Sequence, residues 1–152
     1  MVAKKRAFTL VELILVVLFL GAISAICIPR LNFAVVSNQQ VECLVSKIVT
    51  NLRRTRTFAI SNAANNSVGF ALNMVGSAPY TSYEIVNLDT GATVDSYTIN
   101  SDINCTGGDQ FEFNPSGNLS GGSDTELNIS TGQISFTITI VSTTGMVKYT
   151  KD

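Results

Sequence analysis

The residue best placed to do chemistry in this chain is Glu12, a single carboxylate four residues into an apolar run. The run begins at Phe8 and carries no other charge before Arg30, and Lys4, Lys5 and Arg6 stand directly in front of it. A carboxylate in hydrocarbon is costly and marks a function that needs a charged partner. The chemistry it offers is charge pairing rather than turnover. The chain has no His, which removes the Ser-His-Asp and Cys-His nucleophile arrangements. There is no Gly-Lys-Ser/Thr phosphate loop. Without His or a Cys-x-x-Cys pair, zinc has no ligand set. The loop Ser120-Gly121-Gly122-Ser123-Asp124-Thr125-Glu126 offers oxygens but lacks the spacing of an EF-hand, and reads as a solvent-exposed turn. An enzyme is not expected, nor is a cofactor or a metal.

The elements that must position Glu12 follow from hydrophobic periodicity. Phe8 to Ile28 is 21 residues, about 31 Å as a helix at about 1.5 Å per residue, which matches a bilayer core of about 30 Å. The basic residues before it favour a cytoplasmic N-terminus, leaving everything after Pro29 outside. The apolar core is longer than that of a cleaved secretory signal, and no Ala-x-Ala pattern follows it. After Pro29, Val41, Leu44, Val45, Ile48, Val49, Leu52 and Ala59 repeat at i, i+3, i+4 and i+7, so they form one apolar helix face. Ser46, Lys47, Arg53 and Arg54 fall on the opposite side. A helix is therefore expected from about Phe8 to Ala64, kinked or interrupted near Pro29, whose missing N–H opens the backbone ladder.

The remainder alternates with period two. Strands are expected over Ser67–Leu72, Ser82–Asn87, Thr93–Asn100, Gln110–Asn114, Thr125–Ser130, Gln133–Val141 and Gly145–Thr150, separated by Gly-, Pro-, Asn- and Asp-containing turns. The fold class is α+β: a long N-terminal helix, membrane-spanning in its first half, packed on a small antiparallel β-sheet head. Charge is divided unevenly. Residues 1–64 hold eight of the ten Lys/Arg and two acids, whereas residues 65–152 hold nine acids against Lys148 and Lys151. An acidic head argues against nucleic-acid binding. The compartment outside the cytoplasm permits a Cys43–Cys105 disulfide, but helical phasing turns Cys43 away from the apolar stripe.

The segment Lys4-Lys5-Arg6-Ala7-Phe8-Thr9-Leu10-Val11-Glu12 resembles the processing site of type IV prepilins and type II secretion pseudopilins. The resemblance implies a leader at 1–7, a transmembrane and filament-core helix at 8–29, and a periplasmic head at 30–152 that includes the second half of the helix. It implies cleavage by prepilin peptidase between Ala7 and Phe8, then methylation of the new Phe8 amine. Ala7 stands where the family carries Gly and is small enough for processing at a slower rate. Pro29 matches a Pro that the family carries in its helix. Glu12 then lies at (i, i+4) from a cationic amine on its own helix, and the family precedent favours the amine of a neighbouring subunit. A buried pair adds little net stability while a lone partner is costly, so the pair implies registration during filament assembly. Leu52-Arg53-Arg54-Thr55-Arg56 with Ala59-Ile60, Phe111-Glu112-Phe113-Asn114-Pro115-Ser116-Gly117 and Gly145-Met146-Val147-Lys148 look like the GspH/FimT branch. The implied function is that of a minor pseudopilin of a type II secretion system. The alternative is a FimT-like minor type IV pilin in pilus assembly or DNA uptake. The implied partners are prepilin peptidase, sister subunits and the bacterial inner membrane.

Overall fold

The computed structural model describes the backbone of residues 9–27 and 33–152, with side chains described for residues 9–25 and 37–152. The chain divides into two compact units, Met1–Phe33 and Ala34–Asp152.

The first unit holds α1, Leu10–Cys27. Thr9 caps it: the Glu12 backbone N–H donates to Thr9 Oγ1 at 3.3 Å, and the Leu13 N–H to the Thr9 carbonyl at 3.2 Å. Thr9-x-x-Glu12 is the spacing of a capping box, which places a carboxylate in the first turn, where the helix dipole favours it. Beyond the cap α1 is exposed all round. Every side chain from Leu13 to Leu20 is large, apolar and at least 49% accessible. No helix among the described residues is long and apolar enough to cross a membrane. The 18 residues of α1 extend about 27 Å, short of a bilayer core of about 30 Å. The expected span from Phe8 to Ile28 is thus described only in part, because Phe8, Ile28 and Pro29 lie outside the described residues.

The second unit is built on α2, Phe33–Ser61. The helix expected to reach Ala64 with a break near Pro29 is described as two helices, residues 28–32 between them lying outside the described residues, and the second stops three residues early. Asn62 is the reason: its backbone N–H and its Nδ2 both donate to the Phe58 carbonyl, at 3.0 and 2.9 Å. Ala63 N–H then bonds the Ile60 carbonyl at 3.3 Å and Asn65 N–H the Asn62 carbonyl at 2.9 Å, each three residues back, so the ladder tightens into a turn. The apolar stripe behaves as the spacing predicts. Val41, Leu44, Val45, Ile48, Val49, Leu52 and Ala59 are all buried, and Ser46, Lys47, Arg53 and Arg54 are exposed.

Eight strands follow: β1 Phe70–Val75, β2 Ser82–Asn87, β3 Thr93–Thr98, β4 Asn104–Gly107, β5 Gln110–Phe113, β6 Glu126–Ser130, β7 Ser135–Val141 and β8 Met146–Lys151. They form two antiparallel four-stranded sheets, in the orders β3-β2-β1-β5 and β4-β6-β7-β8. The α+β class is therefore borne out, and the antiparallel head is made of two sheets. The core joins the α2 stripe to the inward residues of both sheets: Phe70, Leu72, Met74, Tyr83, Phe111 and Phe113 from the first, and Cys105, Leu127, Ile129, Phe136, Ile138, Ile140 and Val147 from the second. In β7 the alternation is clean, with Phe136, Ile138 and Ile140 buried between Ser135, Thr137 and Thr139.

Three strand expectations need correction. β1 starts at Phe70 rather than Ser67, because Asn66 Oδ1 accepts the N–H groups of Val68 and Gly69 at 3.0 and 2.7 Å and holds those residues in a turn. Gly69 has φ +114°, and a Cβ there would meet the Phe113 carbonyl oxygen across the β1–β5 pair. β4 was not expected at all: Asn-Cys-Thr-Gly is short and has no run of alternation, and it forms by pairing with β6, Cys105 opposite Ile129. β7 begins at Ser135 rather than Gln133, since Thr131 N–H bonds the Ile134 carbonyl and closes a turn first.

Candidate functional site

The sequence-derived site falls in two places. Ala7, Phe8 and Pro29, the expected cut, methylation and kink positions, lie outside the described residues. Glu12 is described, in the first turn of α1. Thr9 caps this turn through the Glu12 backbone N–H, so the carboxylate sits at the helix N-terminus, where the dipole favours it.

The polar face of α2 carries the other charged groups, and their tertiary partners divide them into two sets. Arg54 donates to Asp95 Oδ2 at 2.9 Å and to the Tyr97 hydroxyl at 3.1 Å, while the Tyr97 O–H donates to Asp95 Oδ2 at 2.6 Å. The Tyr97 hydroxyl and the Arg54 guanidinium hold the Asp95 carboxyl below the usual carboxylate range. Lys47 Nζ lies 4.5 Å from the Tyr97 ring centroid, and that ring stacks on Tyr83 at 5.1 Å. Beneath this layer Asn51 Nδ2 donates to the Tyr83 hydroxyl at 2.9 Å, and burial pushes the Tyr83 phenol up to about 12. Arg54 and Lys47 are thus engaged within the chain. They fix the outer strand β3 to α2.

Arg53 and Arg56 differ. Arg53 Nη2 donates to the Val147 carbonyl at 3.3 Å and Arg56 Nε to the Gly117 carbonyl at 2.9 Å. Among the described residues neither is ion-paired; the two pairs are Arg54–Asp95 and Lys151–Glu42. The two guanidiniums line a cleft of about 590 Å³ with Thr57, Thr144, Gly145, Met146 and Val147. The sequence placed Arg53 on the polar face but could not show that it lines a cleft with Arg56, because the cleft wall comes from the β7–β8 turn about 90 residues on.

Of the three cysteines, Cys43 and Cys105 are not bonded to one another. Cys43 is exposed on α2 and Cys105 is buried in β4. The helical phasing that turns Cys43 outward explains this: Cys43 is exposed, whereas Cys105 lies in the core with the buried stripe of α2. Burial pushes the Cys105 thiol up to about 12. A maleimide at pH 7.5, applied to a Cys27→Ala background, should therefore label Cys43 quickly. Cys105 should react more than about a hundredfold more slowly, and catch up only on unfolding. Equal labelling of the two, or of neither, would contradict this arrangement.

The loop 120–126 has a structural use: Asp124 Oδ2 accepts from the backbone N–H groups of Asp109 and Gln110 at 2.8 and 3.2 Å, and ties the loop to β5. No group of three or more acidic, Cys or His side chains able to hold a metal occurs among the described residues. A scan against protein-family models, a search of curated proteins and a search of solved structures each find no match to the chain.

Proposed function

We propose that the chain is a minor pseudopilin of the GspH type, a non-enzymatic filament subunit made as a prepilin. The observation that carries the reading is Glu12: one carboxylate in an otherwise apolar helix whose side chains are exposed all round, preceded by Lys4-Lys5-Arg6-Ala7-Phe8. An apolar helix with no cover within its own unit requires lipid or other helices around it. In this reading residues 8–28 first insert in the inner membrane and then pack against sister helices, and Glu12 pairs with a Phe8 amine to set the register. The helix start at Leu10, two residues past the expected cut, leaves the scissile bond ahead of the capped turn. The head is an α+β unit on α2.

A FimT-like minor type IV pilin fits the same N-terminal residues. Its DNA-uptake form needs a basic C-terminal strand. β8 offers Lys148 and Lys151, and Lys151 is engaged with Glu42 at 3.2 Å. That weighs against DNA and for a protein-binding head.

The test is the mass of the N-terminal peptide from native membranes. Loss of Met1–Ala7 with one methyl group on Phe8 is the expected result. An intact N-terminus would overturn the filament reading and leave a permanently anchored protein.

A further inference from the structure

The cleft holding Arg53 and Arg56 has the chemistry of a carboxylate receptor. Each guanidinium carries five N–H donors in a rigid fork, and the chain uses one from each, on a backbone carbonyl. That single bond fixes the head of the side chain while leaving the rest of the fork for a ligand. Arg54, between them in sequence, turns to the other side of α2 and is neutralised by Asp95. The cleft therefore holds two guanidiniums that no carboxylate among the described residues neutralises, whereas Arg54 is paired and Lys47 lies over the Tyr97 ring.

The walls add to this. Gly145 has φ +63° and packs so close that a Cβ would meet the Gly117 carbonyl oxygen and lie 2.9 Å from Arg56 Nε. The β7–β8 turn and the 114–117 turn are thereby clamped on Arg56, which gives the receptor a firm base. Met146, 49% accessible, stands at the rim. Arg and Met beside one another form a composition enriched at protein interfaces.

We infer that this cleft receives an Asp or Glu side chain of a neighbouring subunit, with Met146 covering an apolar residue next to it. The inference rests on the filament-subunit reading, which supplies the neighbour. Charge complementarity names the occupant: residues 65–152 carry nine acids, and among the described residues Asp95 alone of these is ion-paired. A head of this kind has carboxylates to offer and the cleft has guanidiniums to receive one. Bidentate Arg–carboxylate pairing supplies orientation as well as attraction.

The experiment uses the full chain in native membranes with a photoreactive benzoylphenylalanine in place of Met146. The expected adduct is to a sister subunit, mapped within a few residues of an Asp or Glu. Arg53→Gln, which removes the charge while keeping a polar, helix-forming side chain, should lower its yield about tenfold and move the thermal midpoint little, since one long, partly buried hydrogen bond is lost. Arg53→Glu combined with reversal of the mapped acid to Arg should restore it. An adduct indifferent to Arg53→Gln, one mapped far from any acid, or no adduct in a sample whose N-terminus is processed and methylated would overturn the carboxylate receptor. The same sample reports the Phe8 mass, so an unprocessed N-terminus marks failure of the filament reading instead.

Discussion

Phe111→Ala should cost the second unit about 3–5 kcal/mol, the range for removing a buried ring from a packed core. Phe111 is 0% exposed and lies in register with Leu72 on β1, which is in turn opposite Ile85 on β2. The three form a row across the first sheet, all fully buried, and β5 is an outer strand only four residues long. Loss of the ring leaves a void that neither α2 nor Leu72 can fill without leaving its own packing position. A unit of 119 residues (Ala34–Asp152) should lose roughly 4 °C of thermal midpoint per kcal/mol, hence about 12–20 °C. Val94→Ala on β3, where the side chain is 45% exposed, should stay within about 0.5 kcal/mol. Circular dichroism melts of the full chain in mild detergent decide the matter. Equal shifts for the two variants would contradict the assigned core.

Gly145→Ala should be nearly as damaging for a different reason. The residue has φ +63°, where an L side chain costs about 1–2 kcal/mol. The added methyl would also meet a backbone carbonyl, that of Gly117, which cannot swing aside as a side-chain tip can. The turns must separate, at about 1–3 kcal/mol more, and the Arg56–Gly117 hydrogen bond goes with them. The expected total is about 2–5 kcal/mol. Gly132→Ala, at a position with open space and no left-handed φ, should change stability by less than about 0.5 kcal/mol. A Gly145→Ala melt indistinguishable from that of Gly132→Ala would show that the two turns are not clamped.

These two sites also mark where sequence reasoning reached and where it stopped. Phe111 alternates with Glu112 and Phe113, and the α2 stripe repeats every three or four residues, so both were legible in local periodicity. β4 was not, because its four residues owe their conformation to β6 rather than to any pattern of their own. The Asn62 and Asn66 side chains moved two element boundaries by bonding the backbone, a competition that hydrophobic pattern does not record. Charge was the hardest to assign. Arg53, Arg54 and Arg56 read as one cluster along the chain, yet Arg54 finds Asp95 at a separation of 41 residues while its neighbours find only carbonyls. Partners so distant are set by strand order, and strand order is not written in any short window. For the start of α1 the opposite holds: the Thr9 cap is a local feature, readable in Thr9-x-x-Glu12 with no distant partner.

The strand order has a bearing on crowding. Two open sheets leave four outer strands, each with main-chain groups able to pair with another copy. β4 and β5 are only four residues long, and part of β5 is covered where Ser120 N–H bonds the Glu112 carbonyl at 2.9 Å. β3 carries Asp95, and β8 carries Lys148 and Lys151. Short length, a covering loop and charge are the means by which natural sheets resist sideways fusion. Copies of this head can therefore stand shoulder to shoulder at high local concentration without zipping into a continuous sheet, so that whatever order they adopt is left to side chains and helices to specify.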